Sequence, residues 1–106
     1  TVEMEVKNNK FEVYSGIDAR YGDITADISG NEFIDTQAIT VDDSSGELNI
    51  TVKQNDFTKN EGSSLLDGLY VEGKADNLNL DDILNNNGNT FNPDGKVTNE
   101  GIEPTQ

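Results

Sequence analysis

The side chains that most often carry catalysis are missing from this chain. It contains no histidine, cysteine or tryptophan. Nucleophile–base pairs of the Ser-His or Cys-His type therefore cannot be assembled. Disulfides and thiolate metal sites are excluded as well. What remains is oxygen chemistry. A pair of carboxylates can hydrolyse a glycosidic bond, but 21 of the 106 residues are acidic, so some pair falls close by composition alone. The residue inventory points away from an enzyme.

Two stretches have the oxygen donors that calcium takes. Asn92-Pro-Asp-Gly-Lys-Val-Thr-Asn-Glu100 is similar to an Asn-x-Asp-Gly-x-Val calcium loop, in which the glycine permits a sharp turn and the valine packs inward. With Asp94 at the fifth position, Thr90 falls at the first and Gly101 at the twelfth. Neither supplies the required carboxylate, so this is not an EF-hand. Asp81 and Asp82, ahead of Asn85, Asn87 and Asn89, form the second stretch. Ordinary Asn/Asp turn chemistry accounts for both. No cofactor is expected, with calcium the one ion these loops suit. Asn49-Ile50-Thr51 is a glycosylation sequon by rule. For a carbohydrate ligand the natural contacts are Tyr14, Tyr21 and Tyr70, each an apolar ring with a polar tip.

These groups must be positioned by strands. Apolar residues alternate with polar ones along most of the chain: Val2, Met4 and Val6; Phe11 and Val13; Ile24, Ala26 and Ile28; Ile39 and Val41; Leu48, Ile50 and Val52; Leu69 and Val71. Period two marks a strand with one dry face. Turn signals separate the runs, among them Asn8-Asn9, Ser29-Gly30-Asn31 and Asp43-Ser44-Ser45-Gly46. Short strands at this spacing predict an all-β fold, a single small β-sandwich of Ig-like or jelly-roll-like type spanning residues 1–106. Leu80, Ile83 and Leu84 share a helical face, which predicts one short helical turn over residues 78–84. No internal repeat is expected. Residues 85–106 are rich in Asn and Gly and read as loop or tail.

Composition narrows the partners. Net charge is −14, with 7 basic residues. Phosphate binding needs clustered Lys and Arg, so nucleic acid is a poor partner. An anionic membrane surface would repel the chain, and no apolar run is long enough to span a bilayer. The first residue is Thr1, which fits a mature secreted protein whose leader has been removed, or simply a trimmed chain.

Residues 39–58, ITVDDSSGELNITVKQNDFT, pair a strand, a Gly-containing turn and a second strand ending in Asp-Phe-Thr. In this they resemble the core of WxL-type cell-surface domains of Gram-positive bacteria, at Gly46, Asn49, Ile50, Thr51, Val52, Asp56, Phe57 and Thr58. Leu48 stands where that family has its tryptophan. The resemblance implies an extracellular, secreted β-sandwich at a cell surface.

The functional expectation follows from the chain's ends. Val2-Glu-Met-Glu-Val6 is an alternating terminal strand, the element most easily donated to a neighbour's open sheet edge. Residues 1–14 are therefore the candidate exchanged segment, with Val2, Met4, Val6, Phe11 and Val13 as assembly residues. Repeated head to tail, such a contact builds an open polymer of the protein with itself. The expected function is thus a structural surface protein, a filament, pilus or surface-layer subunit. A module binding cell-wall polysaccharide or another glycan is the alternative.

Overall fold

A computed structural model describes residues 2–42, 46–63, 67–72 and 78–106. Three strands in succession trace the first coil: β1 (Val2–Lys7), β2 (Lys10–Phe11) and β3 (Ser15–Arg20). The second coil repeats them as β4 (Ile24–Ser29), β5 (Glu32–Ile34) and β6 (Gln37–Asp42). The third does so as β7 (Leu48–Lys53), β8 (Asp56–Thr58) and β9 (Leu69–Val71). Like strands then lie side by side. Among the described residues the first sheet has the order β1-β4-β7, and its pairs are parallel and in register over six residues. The second sheet runs β2-β5-β8 and the third β3-β6-β9, again all parallel. The protein is a short solenoid with three β faces.

The strand-rich class is as the alternation predicts. The sandwich type is not confirmed, because no strand of these three coils pairs with its neighbour in sequence as an antiparallel hairpin. Strands β6 and β7, which flank residues 43–47, belong to different sheets. Strand β1 lies within its own chain, paired with β4.

The interior is built in columns. On the first face Val2 stacks on Ile24 and Leu48, Met4 on Ala26 and Ile50, and Val6 on Ile28 and Val52. On the third, Ile17, Ile39 and Leu69 form one column and Ala19, Val41 and Val71 another. The second face carries an aromatic column. Phe11, Phe33, Phe57 and Phe91 stack with centroids 4.9, 5.1 and 4.8 Å apart and planes within 11°. Each such pair adds about 0.5–1.5 kcal/mol beyond the burial of its rings.

The far end is built differently. Helix α1 (Leu80–Asn85) follows β9, close to the predicted range. Asn79 caps it by accepting from the Asp82 amide at 3.0 Å, and Asp81 and Asp82 face the positive end of its dipole. Ile83 is buried, with Leu80 and Leu84 packed against the core. Residues 85–106 are not a loose tail. They form β10 (Thr90–Asn92), which continues the second sheet beside β8, and β11 (Gly95–Val97) and β12 (Gly101–Pro104). Here the direction reverses: β12 pairs antiparallel with β9, and β11 antiparallel with β12. Ile102 is fully buried, which ties the segment to the core. Helix and hairpin pack together over the third face at this end, while β7 is the last strand of the first face among the described residues.

Candidate functional site

A repeated corner joins the first face to the second. Its residues read Asn8-Asn9-Lys10-Phe11, Gly30-Asn31-Glu32-Phe33, Gln54-Asn55-Asp56-Phe57 and Gly88-Asn89-Thr90-Phe91. The leading residue is left-handed each time, with φ of 59°, 68°, 55° and 73°. Glycine reaches this region without strain, and asparagine more easily than most residues. The second residue is always asparagine, exposed at Asn9, half-buried at Asn89 and buried in the two coils between. Asn31 and Asn55 are almost fully buried, which a polar side chain tolerates only when its hydrogen bonds are made.

The asparagines make those bonds to one another. Asn31 Oδ1 accepts from the Asn9 backbone N–H at 3.0 Å and from Asn9 Nδ2 at 3.2 Å. Asn55 Oδ1 accepts the same two bonds from Asn31, at 2.9 and 3.0 Å. Asn89 Oδ1 accepts them from Asn55, at 2.9 and 3.2 Å. The second hydrogen of each Nδ2 reaches back one coil. Asn31 donates to the Val6 carbonyl at 2.8 Å, Asn55 to that of Ile28 at 2.9 Å and Asn89 to that of Val52 at 3.0 Å. The spacing is 22, 24 and then 34 residues, helix α1 lying in the last interval. The chain thus has the internal repeat that the sequence reading did not expect.

The two ends of this ladder differ. At the last rung the forward hydrogen of Asn89 Nδ2 is taken by the Ile83 carbonyl at 2.8 Å. That carbonyl lies at the C-terminal end of α1, where carbonyls lack partners within the helix. At the first rung, Asn9 Nδ2 turns back on the Lys7 carbonyl of its own strand at 2.9 Å. Asn9 is exposed, and its Oδ1 receives no bond from the described residues. The neighbouring strand is open too. The Val2 amide donates to Asp23 and that of Asn8 to Ser29, so even-numbered residues of β1 turn their backbone towards β4. Glu3, Glu5 and Lys7 turn theirs to the other side, where no strand lies among the described residues.

This open end holds all five residues expected to serve assembly. Val2 and Val13 are about half exposed. Met4, Val6 and Phe11 pack partly against the core, Phe11 having a ring neighbour on one side only, Phe33. The three tyrosines are not gathered in the same way. Tyr14 and Tyr21 are exposed at opposite ends of β3, about 20 Å apart along a strand of this length. The Arg20 guanidinium lies 5.5 Å from the centre of the Tyr21 ring. Tyr70 is half-buried on β9, where the Glu100 charge, burial and the Glu72 charge push its hydroxyl up from the ordinary value.

A second surface is the outer side of the first sheet. Its rows are Glu3-Thr25-Asn49, Glu5-Asp27-Thr51 and Lys7-Ser29-Lys53, lying over a shallow groove of about 590 Å³. Asn49 and Thr51 of the sequon are both on this side, exposed. The Lys7 ammonium sits 3.3 Å from Asp27 and 3.7 Å from Glu5. Partial burial works against the Asp27 charge, but Lys7, the Ser29 hydroxyl and the Lys53 charge outweigh it and hold the carboxyl below the usual carboxylate range. A general acid needs the opposite shift, so the pairing with Lys7 reads as an ion pair. Asp81 and Asp82 each accept through Oδ1, from Asn85 and Asn86 at 2.8 and 2.7 Å. Asp94 lies exposed ahead of β11. Among the described residues no three acidic side chains converge on a metal position, and no helix is long and apolar enough to cross a membrane.

The chain matches no family model, and neither a curated protein nor a solved structure is significantly similar to it.

Proposed function

We propose that this protein is a structural module of an extracellular or cell-surface assembly, a rigid solenoid piece joined to its neighbour through the open edge of its first coil. The observation that carries this reading is the contrast between the ends. At one, β10 and the β11–β12 hairpin continue the second and third faces and the Ile83 carbonyl takes the last rung of the ladder, while β7 is the last strand of the first face among the described residues. The other leaves β1, among the described residues, with an unpaired edge beside the half-covered Phe11 ring. Unpaired edges are sites of strand addition. The sequence supports the surface setting through its resemblance to WxL-type domains and through an acidic composition, which keeps an exposed module soluble. In this reading β1 accepts a strand. Donating it would break a six-residue pairing with β4. Growth is then one-ended, in place of the head-to-tail homopolymer.

Size-exclusion chromatography with light scattering and negative-stain electron microscopy test the joining step. Mixing the protein with surface material from its source should give a complex of increased size. The same mixture with Glu5→Pro should not, because proline removes an outward N–H while leaving the bonds to β4 intact. Association undisturbed by Glu5→Pro, or no association at any concentration, would refute the proposal.

The polar groove on the first sheet favours a second reading, a glycan-binding module. Retention on purified cell wall that Thr25→Ala and Thr51→Ala abolish would support it. Absence of retention at low salt would remove it.

A further inference from the structure

We infer that the first coil is a templated acceptor for one more coil that runs in the same direction and carries, at its corner, a left-handed residue followed by Asn-x-Phe. This names the partner of the open edge and rests on the reading above. The bonds between existing coils give the template. Between the first and second coils, the Asn9 N–H and Nδ2 donate forward to Asn31 Oδ1, Asn31 Nδ2 donates back to the Val6 carbonyl, and the Glu32 amide donates back to the Asn9 carbonyl. The second and third coils use the same set, with Asn31, Asn55, Ile28 and the Asp56 amide in those places. Carried back one coil, the set requires an acceptor at Asn9 Oδ1, a donor at Asn9 Nδ2 and a donor at the Lys10 amide. The acceptor has no bond among the described residues, and one Nδ2 hydrogen is folded back on Lys7. Lys10 corresponds to Glu32, so its N–H faces the open side.

Packing asks for the same occupant. A ring on the open side of Phe11 would extend the column by one step of about 5 Å, the spacing of the existing steps. Apolar residues two apart would cover Val2, Met4 and Val6, as Ile24, Ala26 and Ile28 do on the other side. A second copy of the protein does not offer such a coil. Its last rung is taken by Ile83, and its last third-face pairing, β12 on β9, is antiparallel.

The test is an extended chain in which residues 2–23 are repeated once ahead of residue 2, matching the 22-residue step from Asn9 to Asn31. Amide exchange at Glu3, Glu5, Lys7 and Lys10 of the original first coil should slow by about a hundredfold or more. The same extension with alanine at its ladder asparagine should lose most of that protection. Exchange at free-peptide rates throughout the added segment would overturn the inference, as would equal protection by the alanine version. Where the extended chain does not fold, a synthetic peptide of residues 1–22 added to the unmodified protein gives the second readout. Shifts at the Asn9 side-chain amide and at the Glu3, Glu5, Lys7 and Lys10 amides are expected, and an unchanged spectrum would overturn the inference. Docking of the coil by a protein that joins nothing at the surface would refute the proposed function and leave the template standing. Surface association without coil docking would do the reverse.

Discussion

Asn55→Ala should be among the most damaging single substitutions in this protein, despite removing only a small polar group. The side chain is fully buried. It donates to the Ile28 carbonyl and to Asn89 Oδ1, and accepts from the backbone and side chain of Asn31. Alanine deletes all of these bonds, and the Asn31 partner left behind is itself buried. At about 1 kcal/mol per bond the loss is about 4 kcal/mol, and more if the Ile28 carbonyl and the Asn31 amide stay unsatisfied. A domain of this size has a total stability of about 5–15 kcal/mol. Asn9→Ala is the matched control, since its exposed side chain makes one forward bond and one to its own strand. It should cost about 1 kcal/mol or less. Urea unfolding followed by far-ultraviolet circular dichroism separates them. For a slope of about 1.5 kcal/mol per molar, the Asn55→Ala midpoint falls by about 2–3 M and that of Asn9→Ala by well under 1 M. Costs within about 1 kcal/mol of each other would refute the ladder as a main source of stability.

The aromatic column should show the same asymmetry. Phe57→Ala, between two rings, should cost about 3–5 kcal/mol, and Phe11→Ala, with one ring neighbour, about 1–2 kcal/mol in the same assay. Gly101→Ala should loosen the cap, because at φ 154° its Cβ would lie 1.8 Å from the Leu69 carbonyl oxygen. A loss of about 3 kcal/mol or more is expected, read as a fall in the unfolding midpoint. Two aspartates should respond to pH with opposite signs. Burial, Glu103 and Glu100 push the Asp67 carboxyl up, so its favourable contribution is present below the ordinary carboxylate pKa and lost as pH rises through the raised folded value. Asp67→Asn should therefore raise the melting temperature at pH 7 and leave it unchanged near pH 3. The Asn60 backbone N–H, at 2.8 Å, leads the groups that lower the pKa of Asp35, whose contribution is present above the ordinary value and lost on acidification. Asp35→Asn should lower the melting temperature at pH 7, by an amount that shrinks as pH falls below the ordinary carboxylate value through the lowered folded one.

Much of the local structure is legible in the sequence. Leu48, Ile50 and Val52 alternate with Asn49, Thr51 and Lys53, and the strand buries the first set and exposes the second. Leu80, Ile83 and Leu84 turn one helical face to the core. Partners and direction are less legible, because period two states which face is dry and not which strand lies alongside. Parallel stacking of coils and an antiparallel sandwich present the same alternation. The distinguishing signal was the corner itself. Asn-Asn-Lys-Phe, Gly-Asn-Glu-Phe, Gln-Asn-Asp-Phe and Gly-Asn-Thr-Phe look like ordinary turns one at a time, and the uneven spacing hides their kinship. Asparagine is also expected at the surface, so Asn31 and Asn55 attract no notice until their bonds to neighbouring coils are seen. The C-terminal segment misled for a related reason. Its composition is that of a loop, yet Phe91 and Ile102 are enough to seat β10 and β12 on the core. Of the candidate site, the assembly residues fall together on the first coil. The tyrosines scatter, since nothing in their spacing brings them to one face.

Residue-resolved amide exchange of β1 in the dilute protein tests the open edge most directly. Met4 and Val6, bonded to β4, should exchange slowly, whereas Glu3, Glu5 and Lys7 should exchange close to the rate of an unstructured peptide. An alternation of that kind identifies a strand held on one side only. Uniform protection of all five amides would show the edge already covered, and uniformly fast exchange would show β1 detached; either would contradict the account.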